Sequence, residues 1–171
     1  YFDTEFTSVY ASTNGWVSFY NPGSSAYTNY SMPDPSTPYG VIAPFWDDFV
    51  VKYQGSVDRV HYQTTGSAPN RVFTIEYFSI TAYSTTTWTY FQVKFYETSN
   101  VIEFKYDNTQ NLTTGSATIG IENYDGTLGY CGPNCGTSNS SVPTSNYRFA
   151  PKGLWTGATN TSWNLGSNWA D

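Results

Sequence analysis

The chain has 171 residues and 33 aromatic side chains (16 Tyr, 11 Phe, 6 Trp), 19% of the total, against only 12% charged residues. So many rings can build a core, which excludes a disordered chain, and the length suits a single domain. Seven Lys and Arg against thirteen Asp and Glu leave a net charge of −6. That is too acidic for a grip on nucleic-acid phosphates, and no apolar run reaches the ~18 to 20 residues of a membrane helix.

Thr, Ser and Asn (24, 19 and 14 residues) supply the polar surface that Lys and Glu usually provide. Along the chain, period-2 alternation recurs and helical spacing does not. Residues 16–20 form the first strand, followed by the break 21–25 and the Pro-rich stretch 32–38. Residues 41–46 form an apolar strand; Pro44 lacks an N–H, so the strand must lie at an edge or carry a bulge there. Residues 57–63 follow, with His61 on an outer face beside Arg59. In 71–78, Phe73, Ile75 and Tyr77 point inward and Thr74 and Glu76 outward. In 89–96, Phe91, Val93 and Phe95 oppose Gln92, Lys94 and Tyr96, and a turn at 97–100 leads to 101–106, a β-hairpin. Residues 117–122 and 146–149 are the remaining strands. The pattern predicts an all-β fold, an antiparallel two-sheet β-sandwich with long loops, over residues 1–150. Residues 151–171 alternate nowhere and form an irregular tail, a linker or the opening of a following module.

Cys131 and Cys135 bracket Gly-Pro-Asn and are expected to close a disulfide ring, which belongs to an oxidising compartment. A closed zinc site lacks ligands, since His61 is the only histidine. N-x-[S/T] triplets stand at Asn29, Asn111, Asn139 and Asn160, a weak glycosylation signal in so Asn-rich a chain.

No catalytic motif is present. Glu76, Glu97 and Glu103 lie on outward faces of neighbouring strands, but exposed strand carboxylates are common and no catalytic residue is assigned. Asp47 and Asp48 are adjacent acids at a strand end. With Asp125, and with Asp58 and Asn123 as further oxygen donors, they are candidate calcium ligands, and calcium is the one cofactor this sequence suggests. The alternative is that they cap turns. Trp16, Trp88 and Tyr90 fall opposite core positions and are candidate binding residues, able to stack on sugars or to cover another protein module.

Three segments carry a family resemblance: Tyr10-Ala-Ser-Thr-Asn-Gly-Trp-Val-Ser-Phe19, Val41-Ile-Ala-Pro-Phe-Trp-Asp-Asp-Phe49, and the hairpin block 71–77, 90–97 and 101–106. In this order, with Ala117-Thr-Ile-Gly-Ile-Glu-Asn-Tyr-Asp-Gly-Thr127 closing it, the chain resembles the nidogen-like (NIDO-type) extracellular domain of bacterial surface proteins and animal matrix proteins over about residues 1–127. The tail, with Trp155, Trp163 and Trp169, resembles a repeat opening of secreted bacterial adhesins. The resemblance implies a non-enzymatic extracellular module of adhesion or matrix assembly at the cell surface, whose partners are other protein modules or copies of itself. A carbohydrate-binding module that uses exposed aromatics is the alternative. The family pattern has at least one more strand ahead of Ser12-Thr-Asn-Gly-Trp16, so either residues precede Tyr1 or a second chain completes an edge by strand addition to build a filament.

Overall fold

The computed structural model describes residues 4–36, 38–51, 59–83, 85–107, 113–133, 135–138 and 141–151. Among them are strands, turns and bends but no helix. The strands are β1 (Tyr10–Ser12), β2 (Trp16–Ser18), β3 (Val41–Trp46), β4 (Phe49–Val50), β5 (Arg59–Thr65), β6 (Val72–Ala82), β7 (Trp88–Tyr96), β8 (Ile102–Tyr106), β9 (Ser116–Glu122), β10 (Gly129–Cys131), β11 (Thr137–Ser138) and β12 (Tyr147–Phe149). They form two antiparallel sheets, as the alternation predicts. The first runs β1-β2-β3-β9-β10, with β11 also on β9; the second runs β12-β8-β7-β6-β4, with β5 also on β6.

Inward side chains of both sheets fill the space between them. Val17, Ile42, Phe45, Ile75, Tyr77, Phe91, Val93 and Phe104 are buried there, and Tyr77 stacks on Phe91 at 4.6 Å between centroids. A second, smaller core lies on the other face of the first sheet: Trp16, Met32, Val41, Ala43 and Trp46, with Ala26 and Tyr30 packed against it. β3 is therefore buried on both faces, which is why its sequence is an unbroken apolar run.

Pro44 sits in this central strand, and the register of β3 on β9 shifts between Ala43 and Trp46, as a missing N–H requires. The Asn14-Gly15 turn fills the irregularity. Phe45 N–H donates to Gly15 O at 3.4 Å and Asp47 N–H to Asn14 O at 3.2 Å. The Asn14 side-chain oxygen accepts from Phe49 N–H at 3.0 Å, and its amide donates to Ser25 O at 3.1 Å. Both indoles, Trp16 at 3.0 Å and Trp46 at 3.2 Å, donate to Ala26 O. The first two of the segments that carry the resemblance are thus one interlocked unit.

β10 and β11 occupy successive stretches of the free edge of β9. Between them lies the ring closed by the Cys131–Cys135 disulfide, which the C-x3-C spacing predicts. Four short strands (β1, β4, β10, β11) are absent from the sequence reading, being too brief for alternation to register.

Candidate binding face

The stretch between β2 and β3 roofs the outer face of the first sheet. This overturns the expectation that Trp16 lies on a contact face: Trp16 is 1% exposed. Alternation places it correctly opposite Val17, but a second core covers that side as well.

The outer face of the second sheet is different. Cross-strand register groups its side chains in rows: Arg59 with Phe78; His61 with Glu76, Gln92 and Lys105; Gln63 with Thr74, Lys94, Glu103 and Arg148. All of these are half-buried or exposed. Trp88 and Tyr90 share this face by alternation along β7, and Trp88 is 47% exposed. Tyr90 meets Phe78 edge-on at 4.8 Å, and Phe78 in turn meets His61 at 6.1 Å. Gln92 donates to Glu76 at 2.6 Å. The Glu103 carboxylate accepts from Tyr96 at 2.7 Å and pairs with Lys105 at 2.7 Å. Partial burial pushes the Glu103 carboxyl up, but the Lys105 and Tyr96 hydrogen bonds outweigh it and leave the group below its ordinary value. Glu97 lies off this face, at the turn after β7. Hydrogen bonds from the Arg71 side chain and backbone pull it down to about 2. Both carboxyls are held ionised, the opposite of what a general acid needs at neutral pH.

The Arg71–Glu97 pair edges an open cleft of about 730 Å³ at one end of the sandwich, lined by residues 4–9 and by Phe19, Phe73 and Phe95. Its lining mixes these rings with Thr, Ser, Asn and Glu side chains, and its one cation is already engaged bidentately, at 2.9 and 2.5 Å.

The candidate calcium ligands do not converge. Among the described residues no three His, Cys, Asp or Glu side chains come together as a metal-holding group. Burial pushes the Asp47 carboxyl up, against hydrogen bonds from the Thr114 hydroxyl and the Asp48 N–H; the latter is 2.8 Å long. Asp125 accepts from the N–H and hydroxyl of Thr127 at 3.1 and 2.6 Å, and Asn123 accepts from Thr127 and Leu128 N–H at 3.0 Å each. These are turn-capping bonds. Given those bonds, EDTA is expected to leave the thermal midpoint unchanged; a drop that calcium reverses would establish a calcium centre instead. Asp58 lies outside the described residues.

Of the sequon asparagines, Asn29 donates to Thr118 and accepts from Ser116, each at 3.1 Å. Asn111, Asn139 and Asn160 lie outside the described residues.

One group escaped the sequence reading. Glu122, at the end of β9, is 1% exposed. Its carboxyl lies 3.0 Å from the Tyr30 hydroxyl and accepts from Asp34 N–H at 3.0 Å. Only register and the fold of the 30–41 stretch reveal it; locally it reads as one more strand-end acid.

A family model described as NIDO related matches residues 1–157 of the chain. No curated protein and no solved structure matches it.

Proposed function

The chain belongs to the NIDO-related family, and from that premise we propose that it serves as a non-catalytic module of an extracellular adhesive or matrix-forming protein. It meets its partner through the outer face of the second sheet. The observation that carries this reading is the contrast between the two sheets. The outer face of the first is roofed by the chain's own Met32, Ala26 and Tyr30, whereas that of the second presents Trp88, Tyr90 and Phe78 with half-buried or exposed rings. Exposed rings on a rigid sheet lose little entropy on contact and are enriched at interfaces. The disulfide fits an oxidising, extracellular setting. The seven-residue edge strand β5 would serve assembly by strand addition, the fibre-forming version of the same role.

The test is attachment of beads coated with the protein to cells or to extracellular matrix. Trp88→Ala is expected to lower attachment by about tenfold, the loss of one well-placed ring, with an unchanged thermal midpoint. Full attachment by a Trp88→Ala, Tyr90→Ala double variant would place the contact elsewhere.

A further inference from the structure

The cations of this acidic chain are not spread over it. Four of the seven, Arg59, Lys94, Lys105 and Arg148, stand on the outer face of the second sheet, with Glu76 and Glu103 as the carboxylates among them in the described residues. Three of the four crowd round a single acid. In the register Lys94 and Arg148 lie directly opposite Glu103 from either side, and the Lys105 ammonium sits 2.7 Å from it. With strands ~4.8 Å apart, three positive groups share about 10 Å of sheet. Like charges so placed repel unless an anion joins them. Glu103 is one carboxylate shared among them: Lys105 pairs with one oxygen, Tyr96 donates to the other, and Lys94 acts on it through space. Against Glu103 alone the three cations leave an excess of two positive charges, enough for two carboxylates or sulfates.

The rings lie at the other end of the same face. From Tyr90 to Lys94 is four residues of extended β7, about 14 Å, and the amides of Gln92 and Gln63 lie on rows between them or beside them. A linear oligomer with flat apolar faces and repeated negative charge uses both ends. Simple anions are too short, and neutral sugars leave the cations unanswered. We infer that the outer face of the second sheet binds an acidic polysaccharide, its sugar rings stacked at Trp88 and Tyr90 and its carboxylates or sulfates set against Lys94, Lys105 and Arg148. This rests on the proposed role of that face and names its partner class. Acidic proteins and a second copy of this acidic chain answer the charge as well, and the poly-glutamate and self-association arms of the test set them apart.

The experiment is calorimetric titration of the full chain with polygalacturonate oligomers, with neutral dextran and poly-glutamate as comparators. Polygalacturonate should bind, weaken as salt rises, and outbind poly-glutamate of matched charge. A Lys94→Gln, Lys105→Gln variant is expected to lose affinity by about tenfold, as two charge-assisted contacts would cost, and Trp88→Ala to lose a similar factor. Thermal midpoints of both variants verify the fold. Equal binding of poly-glutamate, no binding of polygalacturonate, or salt-sensitive self-association abolished by the Lys variant would each overturn the inference. If Trp88→Ala abolishes bead attachment while polygalacturonate fails to bind, the contact face stands and the acidic glycan falls. If attachment ignores Trp88 and Tyr90, the face itself is wrong.

Discussion

Gly15→Ala is expected to destabilise the protein by about 3 kcal/mol, a large share of a typical domain's stability. Gly15 has φ +81°, and a Cβ there would stand 2.0 Å from Phe45 O and 3.2 Å from a ring carbon of Phe49. The first fact puts alanine in the left-handed region; the second drives a methyl group into backbone. Relief means withdrawing the Asn14-Gly15 turn, which takes with it the bonds to Phe45, Asp47 and Phe49. In a chain of this size the thermal midpoint should fall by roughly 6 to 12 °C. Gly115→Ala is the control, since a Cβ there meets nothing within 4 Å. Thermal denaturation by circular dichroism decides it: equal midpoints for the two variants would mean that the turn is not seated in the β3 irregularity.

The second large effect concerns Glu122 and is read as a pH dependence. Three backbone or phenol groups converge on this carboxyl: Asp34 N–H, Tyr30 hydroxyl and Val41 N–H. The Tyr30 oxygen also lies 2.9 Å from Pro38 O. A phenol has one proton, and a carbonyl can only accept. When Tyr30 donates to Pro38, the contact with Glu122 is a hydrogen bond only if Glu122 carries the proton. Burial pushes the same way, raising the Glu122 carboxyl above its ordinary value. A folded-state pKa above the unfolded one contributes stability that is complete below the unfolded value, 4.5, and is lost as pH rises through the folded one.

Asp47 is shifted in the same direction by burial, and Glu97 in the opposite one, so the signal is the difference between wild type and a variant. Glu122→Gln, which mimics the protonated acid, should cancel this share of the slope and match or exceed the wild type above neutral pH. Glu122→Ala should cost on the order of 3 kcal/mol at low pH, and less as pH rises, by leaving the Asp34 and Val41 N–H groups without their acceptor. Urea unfolding from pH 4 to 8 measures both. Parallel pH profiles for wild type and Glu122→Gln would show that folding does not raise this carboxyl.

Most of the second sheet is legible in the sequence because β7, β8 and β6 as far as Phe78 alternate, with one face buried; past the register shift between Tyr77 and Ile80, β6 does not. The irregularity at Pro44 is legible because a missing donor in an apolar strand leaves few solutions. Trp16 is not legible: alternation says which side of a sheet a residue takes, not whether a distant loop folds over that side. Glu122 is hidden for the same reason, its partners Tyr30 and Asp34 lying 92 and 88 residues away. The cation group needs more still. Lys94, Lys105 and Arg148 look unremarkable one by one, and only the pairing of β12 with β8 brings Arg148 to the other two.

The interrupted border of the first sheet has a consequence for crowding. β10 and β11 are three and two residues long, and the disulfide ring between them breaks what would otherwise be a straight run of unpaired amides along that side. A neighbouring molecule pressed against it finds no stretch long enough to zip onto. Many copies can then stand shoulder to shoulder on that flank without merging into a common aggregate.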